Sequence, residues 1–286
     1  MNVLVLGKNG QVGQSLVQEC KKQGISYHGL GHDELDITKF QKVKKSILDF
    51  APTIIINTTA FHVVGECEKD PQKAFLINAT AVMQLAHFCA EKNIQFVSYS
   101  SDYVFDGKKG KPYKENDRQN PLQVYGVSKV AGEYLSLAYN PNTIIIRTAG
   151  VYGGKKGSHA KGGNFVINLL CDAKEKKSIE VSSEQVVSTT YAADLAIATL
   201  KLLGKNPKGG IYHMVNDGYC SWADFAKQII KEAGFSTKII PVDRGGYSSN
   251  AHRPVFSALD TTKVSGLGIK LPLWKNAIKR YVAYLQ

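Results

Sequence analysis

A tyrosine and a lysine stand four residues apart in the run Tyr125-Gly-Val-Ser-Lys129. An isolated tyrosine, with a pKa of about 10, is a poor acid at neutral pH. On a helix the two side chains share one face, and the ammonium favours the phenolate and so lowers the phenol pKa. The hydroxyl of Ser101, at the end of an apolar strand, can then hold a carbonyl oxygen against the tyrosine. Ser101, Tyr125 and Lys129 are therefore predicted as catalytic residues for the reduction of a ketone.

The tyrosine–lysine spacing is a weak signal by itself, because an exposed helix face produces it by chance. A glycine run at the N-terminus strengthens it. The run follows a β-branched strand at Val3–Leu6 and opens an amphipathic helix at 11–23, which Gly24 ends. Backbone N–H groups at the start of such a helix bind a pyrophosphate. The predicted dinucleotide-binding residues of this turn are Gly7, Gly10, Gln11, Val12 and Gly13.

Length and composition limit the class of protein. With 286 residues and 43% hydrophobic content, the chain can bury a large core, either as one domain or as a core domain with a smaller companion. No run of 18 apolar residues predicts a membrane helix, and the N-terminus lacks a signal-peptide pattern. The five cysteines are odd in number and form no CxxC pair. Reduced thiols in the cytoplasm fit this usage best, and no metal site is expected.

The formal net charge of +12 comes from clustered lysines. Such charge attracts nucleic acid, but it equally attracts phosphorylated cofactors and nucleotide substrates. No recognition helix, zinc finger or aromatic RNA-binding motif accompanies these lysines. They are interpreted as solvated loops and helix faces, and no nucleic-acid partner is expected.

The first half of the chain alternates strand and helix patterns. Predicted strands are 3–6, 26–30, 54–57, 96–100 and 144–147; predicted helices are 11–23, 40–50, 71–92 and 125–138. This alternation predicts an α/β fold with a Rossmann-type, doubly wound parallel sheet. Ligands of such sheets bind at the carboxyl ends of the strands. The glycine turn, 58–62, 100–102 and 148–151 all fall at that edge.

The alternation of strands and helices becomes less regular after residue 150. A basic, glycine-rich loop at Gly153–Gly163 is followed by predicted helices at 164–174, 192–203 and 222–233, a strand at 211–215, and a loop at 241–254. We therefore expect a dinucleotide-binding domain at 1–150, to which later segments return. Residues 151–286 are expected to form mainly a smaller, interleaved substrate-binding lobe.

Over almost its whole length the chain resembles the dTDP-4-dehydrorhamnose reductase family, within the extended short-chain dehydrogenase/reductase superfamily. The resemblance rests on several blocks in a fixed order. These are Gly7–Gly13, Leu35–Ile37, Ser100–Gly107, Asn120–Glu133, Arg147-Thr148, Val151–Gly153, Asn164-Phe165, Thr190–Leu195, Ser221-Trp222 and Arg253-Pro254.

The resemblance implies an activity and roles for individual residues. The activity is hydride transfer from a nicotinamide to the C4 ketone of a dTDP-linked 6-deoxy-L-sugar. Tyr125 would donate the proton, Lys129 would also hold the nicotinamide ribose, and Ser101 would orient the carbonyl where the family usually has threonine. Further implied cofactor contacts are Gly10, Gln11 and Val12 at the pyrophosphate, Asp36 and Ile37 at the adenine, and Ala60, Phe61 and His62. Implied substrate contacts are Ser101, Asp102, Tyr103, Gly150, Asn164 and Arg253.

The end of the second strand bears on the choice of nicotinamide. A carboxylate there would bind the ribose 2′-hydroxyl of NADH and repel a 2′-phosphate. The strand ends Gly29-Leu-Gly-His32, and Asp33 and Glu34 come only afterwards. The missing acid and the nearby His32 favour NADPH as the cofactor, with NADH as the alternative.

The chain departs from the family mainly on the substrate side. Gly150 stands where the family has a sugar-facing tryptophan. We expect the loss of the indole to leave space in the sugar site. The long loop at 154–163, which carries lysines and His159, is expected to close over that space. This indicates a reductase for a different nucleotide deoxysugar as one alternative. A non-catalytic regulatory subunit, like the methionine adenosyltransferase beta subunit, is another. A homodimer is possible, but Ser15 stands where some relatives carry a glutamate implicated in a magnesium-bridged dimer.

Overall fold

The computed structural model describes residues 1–158, 162–243, 247–248 and 251–286. The strands in chain order are β1 (Asn2–Leu6), β2 (Ser26–Leu30), β3 (Ile54–Asn57), β4 (Gln95–Ser101), β5 (Ile144–Thr148), β6 (Val151–Tyr152), β7 (Ser178–Ser182), β8 (Val186–Val187), β9 (Thr190–Tyr191), β10 (Gly210–His213), β11 (Cys220–Ser221), β12 (Lys238–Val242), β13 (Tyr247–Ser248) and β14 (Ala251–His252).

The helices are α1 (Gln11–Lys22), α2 (Phe40–Phe50), α3 (Val64–Lys69), α4 (Pro71–Phe75), α5 (Ala81–Glu91), α6 (Val124–Tyr139), α7 (Phe165–Glu175), α8 (Ala192–Leu203), α9 (Trp222–Ala233), α10 (Thr262–Gly266) and α11 (Trp274–Leu285). A π-helical turn at Leu76–Thr80 joins α4 to α5, and a 3-10 turn at Asp102–Val104 follows β4. No helix in the described ranges is long and apolar enough to span a membrane.

Six parallel strands form the main sheet, in the order β2-β1-β3-β4-β5-β10. The chain leaves β1 for β2 on one side and then returns to β3 on the other side. A crevice therefore opens between the carboxyl ends of β1 and β3, where Leu6 is level with Asn57. The predicted doubly wound parallel sheet is confirmed.

The first strand shows why this sheet is covered on both faces. Val3 and Val5 point into the core that contains Leu16 of α1, whereas Leu4 and Leu6 point into the core that contains Val43 of α2. Successive side chains of a strand face opposite sides, so a strand that is apolar at every position must be buried between two helical layers. The loops at the carboxyl ends of the strands lie outside these layers.

The second half of the chain is interleaved with the first. Strand β10 adds to the edge of the main sheet beside β5, and α8 packs against α1. The remaining segments surround a separate apolar core that includes Tyr152, Phe225 and Tyr281. The functional division of the chain near residue 150 stays a prediction.

The predicted loop at 241–254 is wrong in part. Pro241 and Val242 complete β12, which pairs in parallel with β7, and β13 pairs with β14 as a short antiparallel ribbon. Proline cannot donate a ladder hydrogen bond, but it is tolerated in an edge strand such as β12. The pairing of β12 with β7 joins segments that are 60 residues apart and that carry no strong period-2 pattern.

Candidate active site

The glycine turn after β1 has the backbone that a phosphate-binding turn requires. Gly7 has a φ of +89°, a conformation that favours glycine. A Cβ at Gly13 would overlap the carbonyl oxygen of Gly7, so α1 can approach the turn only because residue 13 has no side chain. No side chain caps α1 within the described chain, and its first turn carries no acid. Its free N–H groups can therefore donate hydrogen bonds to a bound anion.

Two threonines after β3 form the other edge of the crevice. The Thr58 hydroxyl donates to the carbonyl of Leu6 at 2.8 Å, and the Thr59 hydroxyl donates to Oδ1 of Asn57 at 2.6 Å. The first bond holds the end of β3 against the end of β1, and the second fixes the chain directly after β3. The first half of the crevice is thus set by backbone geometry and short hydroxyl side chains.

Ser101, Tyr125 and Lys129 line one cleft of about 1110 Å³, together with the glycine turn at Gly10 and Gln11. Ser101 ends β4, whereas Tyr125 and Lys129 lie on the first turns of α6. The structure thus brings together the predicted catalytic residues and the predicted pyrophosphate site, which are about 90 residues or more apart in sequence.

Tyr125 is positioned by the start of α6. The carboxylate of Glu68, from α3, accepts a 2.8 Å hydrogen bond from the Val124 N–H and so caps the helix from across the cleft. Burial raises the pKa of Tyr125 well above its ordinary value, and the charge of Asp102 raises it further, while Ser101 opposes the rise. The Tyr125 pKa is therefore raised overall, and the predicted net lowering is wrong because burial outweighs the other contributions.

The surroundings of Lys129 explain the difference. Its Nζ donates a 2.6 Å hydrogen bond to the carbonyl of Tyr99, on the neighbouring strand β4. Burial lowers the pKa of the Lys129 ammonium to about 8, and the nearby Glu133 opposes that fall. Glu133 itself is buried and is paired with Arg147 at 2.6 Å. At neutral pH the phenol thus stays protonated beside a lysine that still carries its charge.

A buried carboxylate lies next to Ser101, the predicted catalytic serine. Asp102 accepts hydrogen bonds from the hydroxyls of Ser101, at 2.9 Å, and Ser257, at 2.6 Å. Burial raises the pKa of Asp102 to about 6, although both hydroxyls oppose the rise. The Ser101 oxygen also accepts a hydrogen bond from the N–H of Tyr103. Ser101 is consequently held in one orientation by its own neighbours in sequence.

Arg253 and Tyr103, two predicted substrate contacts, lie together in the cleft wall. Burial raises the pKa of Tyr103 to about 12, and the Arg253 cation opposes that rise. The Nε of Arg253 is buried and has no hydrogen-bond partner among the residues that the structure describes. Both residues line the cleft. An anionic group bound there would satisfy the guanidinium.

Asn164 connects the two halves of the cleft. Its amide donates to Oε1 of Gln11 and to the hydroxyl of Tyr281, both at 2.9 Å, and its oxygen caps α7 by accepting from the N–H of Ile167. The same Gln11 oxygen accepts from the N–H of Gly153. The side chains of Gln11 and Asn164, predicted as cofactor and substrate contacts, are therefore engaged with each other.

The surroundings of Gly150 differ from the expectation. Gly150 has a φ of +49°, and a Cβ on it would lie 2.9 Å from the carbonyl oxygen of Ser188 and 3.5 Å from the indole of Trp222. Trp222 packs on Phe165, with 4.8 Å between ring centroids, and both line the cleft. Residue 150 therefore borders the indole of Trp222, which α9 supplies, rather than an open space.

Two described residues of the long loop contact side chains other than those around Gly150. Lys155 lies over the ring of Tyr284, 5.6 Å from its centroid. The hydroxyl of Ser158 contacts Nε2 of His62 at 3.1 Å at the edge of the cleft. His159, which was expected to contact the substrate, lies outside the described residues.

Several predicted cofactor residues lie outside the lining of the cleft. They are Gly7, Gly13, His32, Asp36, Ile37 and Phe61. The two glycines shape the turn, and the side chain of Ile37 is buried in the core beside Leu35. The carboxylate of Asp36 accepts hydrogen bonds from the N–H and the hydroxyl of Thr38. The adenine contacts of Asp36 and Ile37 stay a prediction.

The argument from a missing acid at the end of β2 is corrected by the fold. Glu34 turns back so that its carboxylate accepts a 2.7 Å hydrogen bond from the N–H of Gly31, the residue that follows the strand. A tight turn makes this possible, because the N–H of Leu35 donates to the carbonyl of Gly31. An acid therefore does lie at this strand end, supplied from four residues later in the sequence.

Other cleft residues had no clear signal as site residues in the sequence. They are Glu68, Tyr99, Phe165, Trp222 and Ser257, whereas Thr58 and Thr59 belong to the segment 58–62 that was predicted at the sheet edge. Trp222 belongs to the Ser221-Trp222 block, and Ser257 follows the Arg253-Pro254 block by three residues. Their place in these blocks was the available signal. Only the folded chain shows that Ser257 reaches Asp102.

Comparison with known proteins gives one consistent result. The family described as the RmlD substrate binding domain matches residues 1–286. The chain is 38% identical to the spore coat polysaccharide biosynthesis protein SpsK of Bacillus subtilis, over 98% of this chain and 96% of that protein. It is 36% identical to the dTDP-4-dehydrorhamnose reductase of Aggregatibacter actinomycetemcomitans, over 99% of both chains.

A solved structure agrees with these matches. The crystal structure of dTDP-4-dehydrorhamnose reductase from Bacillus anthracis, in complex with NADP, superposes with a TM-score of 0.92. The two chains are 31% identical, and the alignment covers 99% of this chain and 100% of the other. Fold, sequence and site geometry therefore all indicate one family.

Proposed function

The chain belongs to the dTDP-4-dehydrorhamnose reductase family, and we propose that it reduces the C4 ketone of dTDP-4-dehydro-L-rhamnose to give dTDP-L-rhamnose. The preferred cofactor is NADPH, and NADH is the alternative. The observation that carries the proposal is the meeting of Ser101, Tyr125 and Lys129 with the glycine turn in one cleft. This arrangement puts a proton donor within the same cavity as a dinucleotide site.

The residues of the glycine turn fit a dinucleotide. Gly7 and Gly13 leave room that any Cβ would fill, and the first turn of α1 offers N–H groups that no side chain of the described chain caps. The N–H groups at Gln11 and Val12 would hold the pyrophosphate. When bound, the nicotinamide nucleotide supplies the hydride.

Tyr125 supplies the proton. Because burial keeps the phenol protonated at neutral pH, it can donate to the ketone oxygen as negative charge develops there. An alkoxide is far more basic than a phenolate, so the transfer is favourable even though the pKa of Tyr125 is raised. The charged Lys129 ammonium, held by the Tyr99 carbonyl, stabilises the phenolate that results.

The nucleotide-sugar end is assigned to Arg253. Its buried Nε, which has no hydrogen-bond partner among the described residues, lies in the cleft wall near Tyr103, where the pyrophosphate of a dTDP-sugar would satisfy it. A guanidinium is suited to this task because its planar donors match phosphate oxygens. The sugar would then extend from Arg253 towards Ser101 and Tyr125.

Location, assembly and domain roles complete the proposal. None of the five cysteines, which all lie in the described part of the chain, forms a disulfide, and this supports a reducing compartment and hence the cytoplasm. Residues 1–150 would bind mainly the dinucleotide and residues 151–286 mainly the sugar. A homodimer is proposed as the assembly, and light scattering coupled to size-exclusion chromatography measures it.

The test is consumption of NADPH, followed at 340 nm, with dTDP-4-dehydro-L-rhamnose as the substrate. The proposal expects turnover together with formation of dTDP-L-rhamnose. Binding of NADPH without turnover of any 4-keto nucleotide sugar would contradict it and would favour the cofactor-binding regulatory subunit. Co-purification with a synthetase subunit would then support that alternative.

A second candidate is a 4-ketoreductase for another nucleotide deoxysugar. The observation in its favour is Gly150, whose neighbourhood is formed by Trp222 and the Ser188 carbonyl. The side of the cleft that would face the sugar is therefore built differently from one that has a tryptophan at residue 150. Higher kcat/KM for a different 4-keto-6-deoxy sugar in a substrate panel would support this candidate.

A further inference from the structure

A small anion site lies at the carboxyl end of β2, outside the catalytic cleft. We propose that the Lys8 ammonium and the Gly31 N–H bind the 2′-phosphate of NADPH, and that the Glu34 carboxylate, which occupies this site, sets the preference between NADPH and NADH. The inference rests on the proposed function, because it assumes that the glycine turn binds a nicotinamide dinucleotide.

The contacts of Glu34 define the site. Both of its carboxylate oxygens lie 2.7 Å from the Nζ of Lys8, and one of them also accepts the 2.7 Å hydrogen bond from the Gly31 N–H. A cation and a backbone N–H that converge on one anionic group are the elements of a phosphate site. The hydrogen bond from Lys8, followed by that from Gly31, lowers the pKa of Glu34, so the occupant is a carboxylate anion at neutral pH.

Lys8 is held in place by the fold rather than by Glu34 alone. Its aliphatic stem lies across Gly29 of β2, where a Cβ would come within 3.1 Å of the Lys8 Cβ. The N–H groups of Gly7 and Lys8 both donate to the carbonyl of Leu30. The glycine turn is thus fastened to the end of β2, and the ammonium is carried beyond that end.

Glu34 can leave the site at little cost. Its side chain is 47% exposed and that of Lys8 is 33% exposed, so water solvates both groups when they separate. Exposed ion pairs of this kind contribute little to stability. A phosphate dianion carries more charge than a carboxylate and would compete for the same two donors.

The two cofactors would therefore meet different arrangements of the same residues. With NADPH, the 2′-phosphate takes the Lys8 and Gly31 donors and Glu34 turns into solvent. With NADH, Glu34 keeps its place and accepts a hydrogen bond from the ribose 2′-hydroxyl. The chain can accept both nucleotides, and the charge of Glu34 reduces its preference for the phosphorylated one.

Calorimetric titration of the full chain with adenosine 2′,5′-bisphosphate and with 5′-AMP tests the site directly. Lys8→Met keeps the stem over Gly29 and removes the charge. We expect it to weaken the bisphosphate about tenfold and to change 5′-AMP less than about twofold. Glu34→Gln should tighten the bisphosphate by about three- to tenfold, since the competing charge is gone. Asp33→Asn is the matched control, because it removes a neighbouring charge that takes no part in the Lys8–Gly31 contact.

Three results would overturn the proposal. They are an equal loss of both ligands in Lys8→Met, no tightening in Glu34→Gln, and the same tightening in Asp33→Asn as in Glu34→Gln. Absence of bisphosphate binding to the unaltered chain would overturn it as well. The titrations contain no sugar, so failure to reduce any 4-keto sugar would refute the proposed function and leave their result independent.

Discussion

The hydroxyl of Ser101 donates a 2.9 Å hydrogen bond to the carboxylate of its sequence neighbour, Asp102. The Ser101 proton is therefore engaged within the protein, while its oxygen also accepts from the Tyr103 N–H. As long as Asp102 is ionised, Ser101 presents an acceptor rather than a donor to the cleft. Donation of a proton to a ketone oxygen then depends on Tyr125.

Replacing Tyr125 by phenylalanine removes that donor. We expect kcat to fall by roughly 10²–10⁴-fold, the range of general acid–base catalysis, with little change in NADPH affinity. Stopped-flow turnover and fluorescence titration of NADPH measure the two quantities. Tyr139→Phe, at the exposed end of the same helix, is the control and should leave both unchanged. Turnover by Tyr125→Phe close to that of the unaltered chain would contradict the assignment.

The pH profile should show the charge of Lys129. Because burial lowers the pKa of this ammonium to about 8, it is charged below that pH and neutral above it. Stabilisation of the Tyr125 phenolate is then lost as pH rises through 8, and kcat should decline on the alkaline side. The measurement is kcat from pH 6 to 10, with thermal unfolding at each pH to show that the fold persists. A flat profile up to pH 10 would contradict the role of Lys129.

The ionised carboxylate of Asp102 should lower the free energy of unfolding at neutral pH. Burial raises its pKa to about 6 in the folded chain, above the ordinary value of 3.8, so the folded state binds a proton more tightly than the unfolded state. The resulting penalty is absent below about pH 4, grows as pH rises to about 6 and is then constant. Asp102→Asn should therefore raise the free energy of unfolding by on the order of 2 kcal/mol at pH 8.

Urea denaturation at pH 8 and at pH 4 measures this difference. At pH 4 the variant and the unaltered chain should have similar free energies of unfolding, because Asp102 is then largely protonated when folded. The exposed Asp33→Asn is the control and should change little at either pH. An equal gain for Asp102→Asn at both values would show that the effect is not electrostatic.

Gly150 allows a test that separates backbone strain from packing. Gly150 and Gly110 both have positive φ, at +49° and +68°, but a Cβ on Gly110 meets nothing within 4 Å. Gly110→Ala should lose about 1 kcal/mol from strain alone. Gly150→Ala should lose roughly 2–3 kcal/mol, because its Cβ also approaches the Ser188 carbonyl. Thermal and urea unfolding of the two variants supply the comparison.

The same geometry makes a prediction for the tryptophan that the family carries. Gly150→Trp should destabilise the chain and lower activity, since the indole would collide with Ser188 and Trp222. Unfolding and turnover of the rhamnose precursor are the measurements, with Gly150→Ala as the smaller step. A stable variant with higher turnover would show that this wall can accommodate an indole after all.

The local patterns of the sequence determined the main sheet and its edge. Continuous apolar runs such as Val3–Leu6 and 54–57 predicted buried parallel strands, and the glycines of the first turn predicted the phosphate-binding backbone. Tyr125 and Lys129 follow from a helix period. Each of these signals is contained in fewer than about 20 consecutive residues, which is the scale on which backbone preferences and periodicity act.

Only the tertiary structure decided the electrostatics and the packing of the site. The pKa of Tyr125 depends on its burial and on Asp102, and Asp102 in turn depends on Ser257, which is 155 residues away. The wall beside Gly150 comes from Trp222, and Glu34 reaches the end of β2 through a turn. Desolvation and steric contact are set by atoms from distant segments, so these properties did not exist until the chain folded.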